Sequence, residues 1–240
     1  MQPIKFCHIA PTEHVLHAAS HSQCLMALAH LVGDEEYVKK FKLLSGEGMT
    51  VYLDNSQFEL GESVSLDFLI EAGHRINATY LILPDGDQSE ASIRLVKANG
   101  FKVMVIPAGE NLHVEFLYAL ENDDVDMVGL SYSKTSEYLN RHRHSATSRF
   151  DFLSGLGAIL PNKKIHLLGA VLPGEIALMK PYQDAIYSWD TSMAVWAGLN
   201  GQNIKQMTHK FGESVDFTSQ KPWNSVCDSN ISYINTMLNS

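Results

Sequence analysis

The sequence has few of the residues that mark several common classes of protein. Only three of its 240 residues are cysteines, and Cys7, Cys24 and Cys227 are scattered along the chain. An odd and scattered set predicts neither a disulfide framework nor a Cys-x-x-Cys zinc clamp, and it favours a reducing cytosol. No apolar run approaches the roughly 20 residues that cross a bilayer, and the N-terminus lacks the layout of a signal peptide. We therefore expect a cytoplasmic protein with no membrane partner.

Positive charge is also scarce. The chain has 18 Lys and Arg residues against 27 Asp and Glu residues, a formal net charge of −9. A protein that coats nucleic acid needs clustered cations for the phosphates, so this class is disfavoured. One local concentration of basic residues remains, in a polar segment after a predicted strand, and it could hold phosphates or be a solvated loop. Its members are Lys134, Arg141, Arg143 and Arg149.

Several catalytic motifs are missing as well. The chain has no Gly-x-Ser-x-Gly elbow, no P-loop and no Gly-x-Gly-x-x-Gly, so the motifs of hydrolases, nucleotide triphosphatases and dinucleotide enzymes are absent. Its eleven histidines form no His-Glu-x-x-His. The one His-x-His, at His142 and His144, is flanked by arginines that would repel a cation. The sequence predicts no metal and no cofactor.

What the chain does have is a regular alternation of two patterns. Apolar runs rich in β-branched residues alternate with amphipathic stretches of helical spacing, at 45% hydrophobic residues overall. Eight such runs predict parallel βαβ units that close into a barrel, which is the α/β class and the (β/α)8 TIM-barrel fold. The run at residues 24–32 is ambiguous between a strand and the end of a helix. We expect a single domain over residues 1–240, with the barrel at about 4–198 and a less regular, partly helical extension at 199–240.

Acidic residues follow three of the predicted strands. Asp54, Asp85, Asp87 and Asp190 all come where an apolar run ends. In a TIM barrel the carboxyl ends of the strands carry the active site, so these groups should share one face. An aspartate after a strand more often caps a helix or forms a turn. The shared position favours acid–base or nucleophilic chemistry instead.

The strand ends together resemble the tRNA-guanine transglycosylase family, whose members exchange guanine in nucleic acid for a 7-deazaguanine base. Residues 54–59, Asp-Asn-Ser-Gln-Phe-Glu, are similar to the family's D-S-G-G-F-Q. Residues 166–169, His-Leu-Leu-Gly, are similar to its Y-L-M-G, and residues 186–192 are similar to its M-F-D-C-V-L-P-T-R segment. The order and spacing agree from residue 24 through Asp190, which is most of the barrel.

The resemblance implies a role for each matching residue. Asp190 matches the family's nucleophile, Asp54 its general acid and base, and Asp85 the aspartate that reads the edge of guanine. Phe58 matches the aromatic residue that stacks on the base, and Gly129 and Leu130 match backbone that contacts it. The full set of substrate-binding residues predicted at the strand ends is Asp85, Phe58, Asn55, Gly109, Gly129, Leu130 and Ser131.

Departures from the family pattern change the expected substrate. The zinc-binding cysteine and histidine cluster that follows the family's nucleophile is missing, so the part that positions tRNA is absent or replaced. Lys134 stands where the family has a glutamate suited to an aminomethyl base, which favours a neutral base such as 7-cyano-7-deazaguanine. Short, zinc-free members of the family include phage-type enzymes that act on DNA. We therefore expect DNA and a free 7-deazaguanine as partners, with the target nucleotide flipped or single-stranded; a phage-encoded enzyme would act in the host cytoplasm.

Three other functions remain open from the sequence. The protein could act on tRNA, it could be a barrel N-glycosidase or nucleoside hydrolase in which water resolves the adduct, or it could be a non-catalytic nucleic-acid-binding relative. Retention of both Asp54 and Asp190 speaks against the last of these. The sequence also leaves the oligomeric state open, including a homo-oligomer.

Overall fold

The eight predicted strands form one parallel sheet that is almost closed into a barrel. The computed structural model describes residues 4–140, 147–157, 163–170, 173–207 and 215–239. The sheet order β1-β8-β7-β6-β5-β4-β3-β2 is that of a TIM barrel, which confirms the fold predicted from the sequence. The strands are β1 (Lys5–His8), β2 (Leu25–Leu28), β3 (Val51–Asp54), β4 (Tyr80–Ile82), β5 (Lys102–Val105), β6 (Met127–Ser131), β7 (Ile165–Leu168) and β8 (Ile186–Thr191).

Helices follow the strands and cover the outside of the barrel. Side chains of Asp34, Ser65 and Ser89 accept N–H groups at the first turns of three of them, so local capping fixes where these helices begin. The helices are α1 (Val15–Ala19), α2 (Glu35–Gly46), α3 (Gln57–Leu60), α4 (Leu66–Ile76), α5 (Glu90–Ala98), α6 (Leu112–Glu121), α7 (Tyr132–Tyr138), α8 (Ser148–Leu156), α9 (Pro173–Leu178), α10 (Met193–Leu199) and α11 (Ser225–Asn239).

The strands are buried on both faces, which is why they appear in the sequence as nearly continuous apolar runs. One set of side chains packs outward against the helices, including Val51 and Leu53 of β3. The alternate set lines the barrel interior, and Tyr52 of the same strand belongs to it. The other buried members of this interior set are Cys7, Cys24, Met26, Tyr80, Ile82, Met104, Ile106 and Met127.

The barrel closes between β1 and β2, which lie at the two ends of the strand order. Gln23 joins them there, because its N–H donates to Phe6 O at 3.0 Å and its side chain accepts the Phe6 N–H at 2.8 Å. Cys7 and Cys24 form a disulfide across the same seam. The expectation that no disulfide forms is therefore wrong: residues 17 apart in sequence meet because the barrel brings its first two strands together.

Two ambiguous or polar segments take definite structures. The ambiguous run at residues 24–32 contains β2, followed by a 3₁₀ turn at Ala29–Leu31. The polar segment after β6 begins as α7, with Ser131 as its N-cap, and does not begin as a loop. Asp190 lies inside β8 as its penultimate residue, so the strand continues past the apolar run that predicted it.

The C-terminal extension ends in α11, which packs tightly on α10. A Cβ at Gly198 would lie 2.6 Å from Cys227 Cα, so only a glycine allows this approach of the two helices. Among the described residues, no helix is long and apolar enough to cross a membrane.

Candidate active site

Asp190 lies inside the carboxyl end of the barrel and is held by one of its two carboxylate oxygens. Its Oδ1 accepts hydrogen bonds from the Gly169 N–H and from His166 Nε2, both at 3.0 Å. None of the described residues donates a hydrogen bond to Oδ2. The residue is only 5% exposed. One anchored and one uncommitted oxygen is an arrangement suited to a nucleophile.

A line of buried polar side chains leads from Asp190 into the barrel. His166 Nδ1 lies 2.7 Å from Ser188 Oγ, and Tyr52 Oη donates to that same oxygen at 3.3 Å. All three side chains are fully buried. Ser188 and Asp190 share one face of β8 because they are two residues apart.

Asp54 ends β3 in a tight turn. Its Oδ2 accepts the Ser56 N–H at 2.8 Å, and Ser56 has a φ of 60°, a left-handed conformation that is uncommon outside glycine. Ser56 Oγ in turn accepts the His30 N–H at 3.1 Å. The strained turn is therefore held from two sides, as is typical of backbone strain at functional sites.

Three other carboxyl groups at this end of the barrel act on Asp54 through their charges: Glu59, Asp85 and Asp190. Burial, together with the charges of Glu59, Asp190 and Asp85, raises the pKa of Asp54 well above its ordinary value, although the Ser56 N–H opposes the shift. Partial withdrawal of the Glu59 carboxyl from water, and the charge of Asp190, raise the pKa of Glu59. Such crowding favours a neutral acid beside an ionised one.

Asp85 joins this group after β4. Burial raises its pKa, while the charge of Lys134 and a hydrogen bond from the Asn55 side chain offset part of the shift. The turn after β3 also holds the Asp85 backbone, because Gln57 Oε1 accepts the Asp85 N–H at 3.2 Å. The ends of β3 and β4 are thereby tied together.

Asp87, in contrast, has a structural role. Its carboxyl accepts Ser92 Oγ–H at 2.6 Å and the Ser89 N–H at 3.0 Å, both at the start of α5. Burial alone would raise the pKa of Asp87, but these hydrogen bonds outweigh it and lower the pKa. Asp87 therefore supports the start of α5, where Ser89 is the N-cap.

The remaining residues of the predicted substrate-binding set surround the same end of the barrel. Phe58, on α3, is 76% exposed, and Ser131 caps α7 by accepting the Lys134 N–H. Gly129 pairs with His166 in the sheet, and a Cβ there would lie 2.9 Å from Leu168 Cδ1. The other members are more engaged with the protein: Asn55 donates to Leu83 O, the Gly109 N–H donates to Glu115, and Leu130 O accepts from Arg149.

The expectation that Arg149 lies in an exposed basic loop is wrong. Arg149 is a residue of α8 with no exposed surface, and its Nε lies 2.8 Å from Glu175 Oε1, which is equally buried. Its guanidinium also donates to the carbonyls of Leu130, Leu168 and Gly169 at 2.7 to 3.2 Å. Arg149 therefore ties the ends of β6 and β7 together. Arg141 and Arg143 lie outside the described residues.

Sequence reasoning missed several groups of the site. Glu59 is the last residue of the motif at residues 54–59, and its acidic character is the available signal. His166 and Ser188 were polar residues inside strands otherwise rich in apolar residues, which was a signal too. Glu175 gave no comparable signal, because it stands at the start of a helix where acids are ordinary.

The carboxyl groups do not form a metal centre. Within the described ranges, no group of three or more His, Cys, Asp or Glu side chains has an arrangement that could hold a metal ion.

No family model and no curated protein matches this chain. Among solved structures, N-(5′-phosphoribosyl)anthranilate isomerase from Pyrococcus furiosus is similar, with 13% identity, a TM-score of 0.53 and coverage of 98% of this chain and 100% of that one. The same isomerase from Thermotoga maritima has 13% identity and a TM-score of 0.54, over 80% of this chain and 89% of that one.

A third similar structure is the citrate lyase beta subunit from M. tuberculosis, with 11% identity and a TM-score of 0.51, over 79% of this chain and 91% of that one. These three structures are enzymes of two different kinds, an isomerase and a lyase. At these identities the similarity shows the fold, and it does not show which reaction the protein catalyses.

Proposed function

We propose that this protein is a base-exchange glycosyltransferase that replaces guanine in DNA with a 7-deazaguanine, through a covalent adduct on Asp190. The observation that carries the proposal is the unequal pair of carboxyl groups at the end of the barrel. Asp190 has one oxygen anchored by two N–H donors and one left uncommitted, whereas Asp54 has a raised pKa. A nucleophile requires a carboxylate oxygen that is free to attack, and a proton donor requires a carboxyl group that is still protonated.

In the proposed reaction the Asp190 carboxylate attacks C1′ of the target nucleotide. The bond from C1′ to guanine breaks, the electron pair leaves with the base, and neutral Asp54 gives its proton to that base. The ionised Asp54 then takes a proton from the incoming 7-deazaguanine, whose nitrogen attacks C1′ and releases Asp190. The proton and the electron pair are balanced over the two steps, and Asp54 is protonated again at the end.

The turn after β3 gives further support. Ser56 has the positive φ that glycine adopts most readily, and glycine occupies the corresponding third position of the D-S-G-G-F-Q motif that this turn resembles. Phe58 is exposed two residues later, where it could stack on an unpaired base. Asp85 has a carboxyl that could accept the N–H donors on the edge of guanine.

The preference for DNA rests on the region after the nucleophile. Cys227 is the only cysteine there, and it lies on α11, where its side chain is buried against α10. It is thus unsuited to the zinc cluster that accompanies tRNA handling in the family that the sequence resembles. A 7-deazaguanine with a neutral substituent fits the cation at Lys134, whose charge acts on Asp85.

The test is transfer of labelled 7-cyano-7-deazaguanine into single-stranded DNA, duplex DNA and tRNA. We expect label in DNA, a denaturation-resistant complex between protein and DNA, and loss of both in Asp190→Asn. Asp87→Asn is the matched control, because Asp87 accepts hydrogen bonds from Ser89 and Ser92 at the start of α5 and its replacement should leave transfer unchanged.

Other outcomes would contradict parts of the proposal. Label in tRNA alone would refute the DNA substrate, and release of guanine without incorporation would favour a nucleoside hydrolase or N-glycosidase. An adduct that persists in Asp190→Asn would show that another residue is the nucleophile.

A further inference from the structure

The interior of this barrel is lined mainly by apolar, aromatic and sulfur-containing side chains, yet one polar line crosses it. Tyr52, Ser188 and His166 are fully buried and connect in series to Asp190. Buried polar groups weaken a core unless each has a partner. Packing alone therefore does not explain this continuous line of polar side chains, which ends on the proposed nucleophile.

The hydrogen atoms along this line can be assigned by counting donors. Tyr52 Oη donates to Ser188 Oγ. The single hydroxyl hydrogen of Ser188 then has two acceptors within reach, His166 Nδ1 at 2.7 Å and Met127 Sδ at 3.9 Å. The nitrogen is much nearer, and thioether sulfur is a weak acceptor. His166 Nδ1 therefore accepts, and a neutral ring carries its hydrogen on Nε2.

The opposite tautomer is unfavourable at the other end of the ring. With its hydrogen on Nδ1, the imidazole would turn the lone pair of Nε2 toward Asp190 Oδ1 at 3.0 Å, and two acceptors would face each other. With the hydrogen on Nε2, every hydroxyl and N–H of the line points toward Asp190. Hydrogen bonds aligned in this way strengthen one another.

We propose that His166 is a positioning residue for Asp190, and that Ser188 and Tyr52 set the tautomer in which its Nε2–H is donated to Oδ1. With the Gly169 N–H, this donor holds the carboxylate in one rotamer and leaves Oδ2 as the attacking oxygen. The inference rests on the proposed function of Asp190, and it adds how the protein orients that residue.

The decisive comparison is between His166→Gln and His166→Asn. A glutamine amide can reach the place of Nε2 and keep a donor to Asp190, whereas an asparagine reaches only as far as Nδ1. A hydrogen bond to a charged group contributes about 1.5–3 kcal/mol, so its loss in His166→Asn should slow adduct formation by roughly 10- to 150-fold. His166→Gln should stay within about tenfold of the unmodified protein.

Rates should be measured in a single turnover, as formation of the denaturation-resistant complex with DNA. Binding of free 7-cyano-7-deazaguanine, followed separately, should be unchanged in both variants, because His166 acts on Asp190 and not on the base. Ser188→Ala should slow the reaction by about two- to tenfold, the effect of one neutral hydrogen bond. Equal rates in His166→Gln, His166→Asn and the unmodified protein would overturn the proposal.

A second measurement does not depend on the reaction. The ¹⁵N spectrum of the His166 ring should show a protonated Nε2 and an unprotonated Nδ1, and Ser188→Ala or Tyr52→Phe should shift the ring toward a mixture. A protonated Nδ1 with an unprotonated Nε2 would overturn the assignment even if His166→Asn fails to fold.

Loss of the adduct in Asp190→Asn, together with equal rates in the two His166 variants and the unmodified protein, would refute the positioning role alone. Survival of the adduct in Asp190→Asn would refute the proposed function instead.

Discussion

Replacing Arg149 with methionine should strongly destabilise the barrel. The guanidinium lies 2.8 Å from Glu175 Oε1, and neither side chain is exposed. It also donates to the carbonyls of Leu130, Leu168 and Gly169 at the ends of β6 and β7. Methionine fills much of the same volume but supplies no charge and no donor.

The size of the effect follows from the burial of the pair. Removing one partner of a buried ion pair costs about 3–5 kcal/mol, since the charge that remains stays out of water and loses the attraction of the other. For a chain of this length, each kcal/mol lowers Tm by about 2–4 °C, which gives a fall of roughly 6–20 °C. Arg149→Met combined with Glu175→Met should be less destabilised than Arg149→Met alone, because both charges are then gone.

Thermal and urea unfolding of the single and double variants measure this coupling. The matched control is Arg94→Met: Arg94 lies 2.7 Å from Glu90 on the surface of α5, with about three quarters of each side chain exposed, and its loss should cost less than about 1 kcal/mol. If Arg149→Met costs no more than Arg94→Met, or if the costs of the single Arg149 and Glu175 changes simply add in the double variant, the reasoning is wrong.

Three further predictions concern other parts of the fold. Asp54→Asn should be more stable than the unmodified protein at pH 7. Because the pKa of Asp54 is raised in the folded state, stability falls as pH rises from about 4, the pKa in the unfolded chain, toward the folded-state pKa. An amide does not ionise, so the variant avoids this loss. Urea unfolding from pH 4 to 8 measures it. Gly198→Ala should cost about 1–3 kcal/mol by thermal unfolding, because its Cβ would lie 2.6 Å from Cys227 Cα. Reducing the disulfide between Cys7 and Cys24, 17 residues apart, should cost about 3 kcal/mol in urea unfolding.

Each of these has its own control. Stability of Asp54→Asn that matches the unmodified protein across the whole pH range would contradict the raised pKa. Gly33→Ala, where a Cβ would meet nothing within 4 Å, should leave the melting temperature nearly unchanged. A variant with Cys7→Ala and Cys24→Ala should no longer respond to reductant; a response as large as that of the unmodified protein would show that the disulfide is not the group being reduced.

The barrel could be predicted from the sequence because both faces of its strands are buried. Residues 78–83, Ala-Thr-Tyr-Leu-Ile-Leu, form a nearly continuous apolar run, and β4 lies within it at Tyr80–Ile82. The run at residues 24–32 stayed ambiguous because apolar length alone does not separate a strand from a buried helix. The structure resolves it through pairing with β3, a long-range interaction that the local sequence does not contain.

The aspartates of the site could also be predicted from the sequence, since an aspartate after an apolar run is a local signal. Arg149 was not. In the sequence it belongs to a polar, basic segment that looks solvated, and its partner Glu175 is 26 residues further on. Only the folding of β7 between them brings the two together and buries the charge. The same holds for Cys7 and Cys24, whose pairing depends on closure of the barrel.

The orientation of Asp190 depends on an irregular pairing between β7 and β8 that no pattern in the sequence predicts. Ile165 pairs with Ile186, but the next residue, His166, pairs with Ser188, so β8 contains one extra residue at Tyr187. Side chains alternate between the two faces of a strand, so this single residue changes which face every later residue of β8 occupies. Ile186 packs outward against the helices. Under strict alternation Ser188, two residues later, would point outward as well.

Because of the extra residue, Ser188 instead faces the interior beside His166, and Asp190 follows it on the same face. In a regular pairing Asp190 would point toward the helices, away from Asp54 and from the open end of the barrel. The bulge therefore accounts for both features on which the proposed chemistry depends: the hydrogen bond from His166 and the position of Asp190 among the other carboxyl groups.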